Sequence, residues 1–319
     1  MPTDTQPKLI IHGGAGSSLK DKGGLIAVRQ ALHAIVAETY DKLQAGADAK
    51  TAVIYGCRRL EDHPRFNAGK GSVLQSDGQV RMSAALMDGA TQAFGGVINV
   101  SRIEHPIEMA AFLQQQTDRV LSDYGAAELA RRLEMPVFDP VTDLRLNEWM
   151  QERQGNFSKA MAGVVAEPDG LVAESGGSRH GTIGVVALDS RGQIAAGTST
   201  GGKGLEQIGR VSDSAMPAGN YANSKAGVSC TGIGEDIIDE CLAARLVIRV
   251  SDGLSLQQAL ERSFAEATQN GRDFGAISLD CQGTIGWGKT SDVLLAAFHT
   301  GDAVGDTLEL PTGTQTDTI

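Results

Sequence analysis

Two stretches of the chain share one pattern. IGVVALDSRGQIAAGTSTG (183–201) and FGAISLDCQGTIGWGKTSD (274–292) each place an apolar run, an LDxxGxI turn and a second run in the same order. Short apolar runs bounded by turn residues mark strands. The glycine at the fourth place of each turn supplies the positive φ that a three- to five-residue hairpin loop needs. Two hairpins of one build, distant in sequence, predict two layers of sheet. No other feature constrains the fold as tightly.

The intervening segments predict what covers those layers. KLIIHGGAG (8–16) reads as a buried strand running into a glycine-rich loop. Between Gly24 and Asp62, Ile26, Leu32, Ile35, Val36, Ala52, Val53, Cys57 and Leu60 recur at helical spacing, which predicts two amphipathic helices with a break near Gly46. SVLQSDGQVRMSAALMDG (72–89) predicts a hairpin turning at Asp77–Gly78, FGGVINV (94–100) a strand, and 106–133 helices. Polar and small residues of poor periodicity from about Asn147 to the Gly181 junction predict a flexible linker. Between the repeated hairpins, Ile237, Ile238, Cys241, Leu242 and Leu246 fit one helix face, with a break at Asp252–Gly253 and a second helix from Ser255. Helices, strands and helices again predict two sheets sandwiched between helical layers.

Composition narrows the function. The 319 residues suffice for one large domain or two ordinary ones. A net charge of -11 without a Lys/Arg cluster argues against a nucleic-acid partner. The start, MPTDTQPKLIIHGG, lacks a basic region followed by a long apolar one, and no apolar run nears the roughly 20 residues a membrane span needs, so no membrane association is expected. Cys57, Cys230, Cys241 and Cys281 show no CxxC spacing, and the six histidines no HExxH. A zinc site and a disulfide framework are therefore unsupported, and a reducing, cytoplasmic setting is expected.

Three stretches could carry chemistry. GTSTGGKG (197–204) nearly matches a phosphate loop, with Lys203 in place, but Gly204 offers no hydroxyl for Mg²⁺. His180, Asp213 and Ser199 could form a triad, but no GxSxG elbow presents the serine. His12, beside Gly13 and Gly14, reads as a packed loop residue rather than a base. Thr182 sits where the slack SGGSRHG meets an apolar strand. Its ordinary reading is a strand starter. A peptide break before it would instead supply a base from its own α-amino group, which titrates near 7.7–8.0 in model peptides and suits neutral pH. Gly181, without a Cβ, would let the hydroxyl approach its carbonyl.

RHGTIGVVALD, TSTGG (198–202), GRVSDS (209–214) and SCTGIGE (229–235) form a series with IHGGAG (11–16) and RFNAGKGSV (65–73). In these motifs, in their order and over most of its length, the chain resembles the plant-type L-asparaginase and isoaspartyl peptidase (β-aspartyl-peptidase) family of N-terminal nucleophile hydrolases. The resemblance implies an α+β, four-layer αββα sandwich in one hydrolase domain, residues 1–319. It implies self-cleavage at Gly181–Thr182 into an α chain, 1–181, and a β chain, 182–319, with two αβ pairs forming a dimer. Thr182 would be the nucleophile toward L-asparagine or an isoaspartyl dipeptide. Thr200 would hydrogen-bond near it, Asn67 would support its orientation, and Thr231 with Gly232 would form the oxyanion hole. Arg210 and Asp213, with Gly232 and Gly234, would hold the substrate's α-carboxylate and α-ammonium. No organic cofactor is implied, but the backbone carbonyls of Leu60, Glu61, His63, Phe66, Ala68 and Lys70 would hold a structural Na⁺. The chain departs from the family pattern at Ser212, Ala215 and Ile233, which leaves substrate preference open. Two alternatives stand beside this reading. A glycosylasparaginase-like hydrolase would share nucleophile and fold, though the start of the chain does not look like a signal peptide. A non-catalytic nucleotide- or ligand-binding protein would use the glycine-rich loops and Lys203.

Overall fold

Every residue of the first strand in both repeated hairpins is buried, so each strand must be covered on both faces. The computed structural model describes residues 5–16, 24–154 and 181–317 and shows how this is done. The strands are β1 Lys8–Gly16, β2 Met82–Asp88, β3 Ala93–Val100, β4 Val120–Ser122, β5 Ile183–Leu188, β6 Ile194–Thr200, β7 Asn220–Ala222, β8 Ala226–Gly232, β9 Phe274–Asp280, β10 Ile285–Lys289, β11 Val293–His299, β12 Val304–Asp306 and β13 Gly313–Asp317. The helices are α1 Gly24–Gln44, α2 Ala49–Asp62, α3 Pro106–Leu113, α4 Asp123–Arg132, α5 Asp143–Gln154, α6 Gly234–Glu240, α7 Leu242–Ser251 and α8 Leu256–Gln269.

One sheet runs β12-β11-β1-β5-β6-β2-β3-β4 and the other β13-β10-β9-β8-β7. The repeated hairpins, β5–β6 and β9–β10, thus lie in different sheets, as the sequence predicts. The two sheets pack through Ile10, Val186, Leu188, Ile194 and Ala196 against Ile277, Leu279, Ile285 and Trp287. On the outer face of the larger sheet, Val28, Leu32 and Val36 of α1 and Val53 and Cys57 of α2 pack on Leu9, Ile11, Val185 and Ala187. Beyond the smaller sheet, Leu246, Val247, Leu260 and Phe264 cover Val228, Cys230 and Ala276. The architecture is the expected αββα sandwich. Each such large apolar side chain contributes roughly 1.5–3 kcal/mol on full burial.

Local signals set the element ends. Gly46, at φ +91°, breaks α1 from α2, and Asp48 caps α2 by accepting the Thr51 N–H at 2.7 Å. Ser255 and Gln258 close a capping box on α8, whose buried Leu256, Ala259, Leu260, Ser263, Phe264 and Ala267 follow the helical period. Both hairpin turns use one device. Asp189 Oδ1 accepts the Arg191 and Gln193 N–H groups, and Asp280 Oδ1 those of Gln282 and Thr284. Gly192 and Gly283 take φ +74° and +87°.

The structure corrects four expectations. The hairpin predicted over 72–89 is displaced: β2 pairs with β3 and β6, and residues 73–80 form no strand. The Asp77–Gly78 turn exists, but Val73 and Leu74 sink into the cluster under α3 and α4, and the Gln75 carbonyl accepts from Trp149 Nε1. The predicted helices over 106–133 are interrupted by β4, which runs parallel to β3 at the sheet edge. The helix expected from Glu235 divides at Cys241, at φ +47°. Finally, α5 occupies the first part of the predicted linker. Its Arg145 and Glu148 form a buried ion pair at 3.0 Å, and Arg145 Nε reaches the Gly71 carbonyl at 2.8 Å. The rest of the linker, 155–180 with His180, lies outside the described residues. Among the described residues no helix is long and apolar enough to cross a membrane.

Candidate active site

Pairing of Ile183 with Ser199 makes Thr182 and Thr200 the next pair out at the head of the first hairpin. The Thr182 hydroxyl donates to Thr200 Oγ1 at 3.2 Å, and both residues are buried. Thr200 Oγ1 also accepts the Gly202 N–H at 3.1 Å, so its position is fixed from two sides. Asn67 stands one step further back. Its Nδ2 donates to the Gly202 carbonyl at 2.6 Å, its Oδ1 accepts the Val73 N–H, and its carbonyl accepts the Gly201 N–H. Among the described contacts, Asn67 therefore reaches Thr182 through Gly202 and Thr200 rather than directly.

The same contacts explain the glycines of TSTGG without a phosphate. A Cβ at Gly201 would lie 2.5 Å from both Asn67 Oδ1 and Ser72 Cβ. Lys203, which the nucleotide reading requires, lies 3.4 Å from Glu235.

On β8, Thr231 is fully buried and its hydroxyl has no partner among the described residues. A buried hydroxyl without a partner is costly unless a ligand uses it. Gly232, at φ +140°, lies against Phe274 Cα, where no side chain fits. Thr231 and Gly232 thus offer an unused donor beside bare backbone, as an oxyanion hole requires.

Gly234 brings the two charged groups together. A Cβ there would stand 2.6 Å from Arg210 Nη2 and 2.7 Å from Asp213 Oδ1. Asp213 Oδ1 accepts from the Ser212 hydroxyl at 3.3 Å, whereas Oδ2 has no partner among the described residues. Burial pushes the Asp213 carboxyl up to about 6, with Arg210 pulling it back. Arg210 is not idle: Nε and Nη2 donate to the two Glu235 oxygens at 2.8 and 3.1 Å, and this pairing holds Glu235 down to about 2. Ser212, at one departure from the family pattern, caps the turn at Asp213–Ala215 by accepting the Ser214 N–H, so its side chain supports the carboxylate. Ala215 is buried in that turn, and Ile233 caps α6 with its N–H on the Asp273 carbonyl.

Residues 60–70 curl back on themselves. Lys70 N–H donates to the Glu61 carbonyl at 2.8 Å, His63 N–H to Leu60, and Phe66 N–H to His63. His105 Nε2 braces the start of the turn on Asp62 at 2.6 Å. A carbonyl oxygen has two lone pairs, so each of these acceptors keeps capacity for a cation. The Glu61 side chain plays a separate part. It is fully buried, accepts from Ser199 Oγ at 2.6 Å, and burial raises its pKa well above the usual carboxylate range.

Sequence reasoning set aside His12 and did not single out Ser229, Thr198 or Gly184. His12 Nε2 meets Ser229 Oγ at 2.9 Å, and Ser229 Oγ meets Thr198 Oγ1 at 2.6 Å. Burial drives the His12 imidazole down to about 3, so it is neutral; the Thr182 backbone beside it pulls the other way. The available signal was a histidine inside an otherwise apolar strand.

The chain is similar along most of its length to proteins of known name. The family model described as asparaginase matches residues 5–309. An isoaspartyl peptidase/L-asparaginase of Nostoc sp. is 67% identical over the full length of both chains. One of the same name from Synechocystis sp. is 67% identical over 96% of this chain and 92% of its own. A plant-type L-asparaginase of Pyrococcus abyssi is 37% identical over 91% of this chain and 95% of its own.

Proposed function

The chain belongs to the asparaginase family, and on that premise we propose that Thr182 is both the site of self-cleavage and the nucleophile of the mature enzyme. The enzyme hydrolyses L-asparagine to aspartate and ammonia and cleaves isoaspartyl dipeptides. The observation that carries the residue-level reading is the Thr182 hydroxyl, fixed by Thr200 at the Gly181–Thr182 junction.

In the precursor, Thr182 Oγ1 attacks the Gly181 carbonyl carbon. The Oγ1 proton passes to the Thr182 nitrogen as the C–N bond breaks and the ester forms, which frees the Thr182 amine. Water then opens the ester, restores the Thr182 hydroxyl and leaves chains 1–181 and 182–319. In turnover, that amine takes the hydroxyl proton as Oγ1 attacks the substrate's side-chain carbonyl. The negative oxygen of the tetrahedral intermediate receives hydrogen bonds from the Thr231 hydroxyl and the Gly232 backbone. The proton passes to the leaving nitrogen, which departs as ammonia or as the amine of an amino acid. The amine then deprotonates a water that attacks the acyl-enzyme ester and releases aspartate. Asp213 Oδ2, buried and unpartnered, suits the substrate ammonium. Arg210 retains donors beyond those given to Glu235 and takes the α-carboxylate.

The 60–70 turn fits an alkali cation, because its carbonyls are hard donors with lone pairs to spare. Na⁺ held there by Leu60, Glu61, His63, Phe66, Ala68 and Lys70 would stiffen the segment that carries Asn67. We further place the mature enzyme in the cytoplasm as a dimer of αβ pairs, a setting that suits four free cysteines.

The test is the intact mass of the wild type beside Thr182→Ala under denaturing conditions. Wild type gives two fragments divided at Gly181–Thr182, and Thr182→Ala stays whole. A processed, active Thr182→Ala protein would sink the reading.

A further inference from the structure

We propose that His12 is a positioning residue: its imidazole, held through Nε2 by Ser229 and Thr198, presents Nδ1 to the main chain of Thr182 and so sets where the nucleophile stands. The inference rests on Thr182 as the nucleophile.

His12 pairs with Gly184 in the β1–β5 register, two residues from Thr182. Gly184 leaves the space that the ring fills: a Cβ there would run into both Ser229 Oγ and His12 Nε2. Ser229 belongs to the other sheet and Thr198 to β6, so the His12–Ser229–Thr198 chain crosses the gap between the sheets directly below the site. An apolar side chain would fill that gap without the desolvation cost of three polar groups. Among the described residues Nδ1 has no hydrogen bond, while a backbone group of Thr182 lies by the ring. With Nε2 taken by Ser229 and the register setting His12 two residues from Thr182, Nδ1 is the nitrogen left to meet it. A carbonyl there calls for the Nδ1–H tautomer. Nε2 is then the acceptor, Ser229 donates to it, and Thr198 donates to Ser229. Every donor in the chain then has one direction. The link reaches the nucleophile's backbone rather than its hydroxyl, so it acts on position and carries no proton in the reaction.

Two amide substitutions separate the two ring nitrogens. In His12→Asn the amide nitrogen stands near Nδ1 and keeps the link to Thr182. In His12→Gln it stands near Nε2 and reaches only Ser229, donating where the imidazole accepts. Self-cleavage, kcat and KM for L-asparagine, the pH profile and thermal stability are measured for each. His12→Gln lowers kcat by about tenfold or more with KM within about twofold. His12→Asn recovers most of that loss and keeps the acid limb of the wild-type profile. Equal kcat losses in the two variants overturn the proposal, as does an acid limb that vanishes in His12→Asn. If neither variant folds, Ser229→Ala decides: kcat falls several-fold at constant KM, and an unchanged kcat refutes the inference. Wild type and Thr182→Ala run alongside. A wild type that leaves asparagine intact, or an active Thr182→Ala, breaks the nucleophile reading itself, whatever the His12 variants do.

Discussion

The two repeated hairpins are alike in turn, register and glycine placement, yet they end in different chemistry. At the head of β5–β6, Thr182 meets Thr200. At the matching places of β9–β10, Asp273 meets Ser291, the serine donating to the carboxylate. The first is a pair of neutral hydroxyls, either of which can donate or accept a hydrogen bond. The second is a clasp. Its Asp273 carbonyl accepts the Ile233 N–H and its own N–H is bound by Asp236, which fixes the backbone beside Gly232. On the proposed reading, one hairpin supplies the nucleophile and the other shapes the corner where the oxyanion would form. The strand pattern builds both hairpins, and the head residues divide the labour.

That division can be broken at the first head. Thr182→Ala lowers turnover at least ~10³-fold while the fold persists, read as asparaginase activity beside circular dichroism. Asp273→Asn should still self-cleave.

The matched glycines give the next contrast. Gly184→Ala drives a methyl into Ser229 and His12 and costs about 3 kcal/mol. At Gly275 the nearest atom to a new Cβ is the Leu294 Cδ1 methyl, at 3.0 Å, so Gly275→Ala costs about 1 kcal/mol. Urea melts compare them; equal losses would remove the asymmetry.

The proposed clamp, Arg210 and Asp213, belongs to neither hairpin and would separate the two reactions. Arg210→Ala self-cleaves normally, but kcat/KM for L-asparagine falls about 10²-fold. An unaltered kcat/KM would exclude Arg210 from the clamp.

Asp213 adds a dependence on pH. Burial pushes its carboxyl up to about 6, above the usual carboxylate range of an unfolded chain. Only the ionised form holds an ammonium, so kcat/KM falls about tenfold per unit below pH 6. Stability moves the other way. Between that range and the raised value the folded state holds the proton more tightly, so this group's contribution is present at low pH and is lost as pH rises through about 6. Asp213→Asn removes both trends, in rate profiles and in melts against pH.

The smallest effect lies at the clasp. Ser291→Ala costs about 1–2 kcal/mol of stability and leaves self-cleavage at the wild-type extent, by melt and intact mass.

How much of this was legible follows from the range of the forces. Apolar runs, the LDxxGxI turns and the TSTGG and SCTGIG motifs announced the hairpins, the layers and the candidate site residues. The hairpin expected over 72–89 failed because Val73 and Leu74 are claimed by a cluster built from distant helices. The predicted linker failed at its start because Arg145 finds the Gly71 carbonyl, a partner no local pattern reveals. Asn67 was placed near the nucleophile, but the route through Gly202 was not visible. The pairing of Arg210 with Glu235 joins a loop to the first turn of α6 and could not be read along the chain.

Local pattern sets most of the strands, the hairpin turns and the place of Thr182 at a strand head, because backbone preferences and side-chain alternation act over a few residues. Which polar groups go without partners is settled only once the sheets close. Among the described residues Thr231 Oγ1 and Asp213 Oδ2 are unsatisfied, and His12 is neutral, because of what then surrounds them. Desolvation is a property of the packed interior, and no stretch of sequence carries it alone.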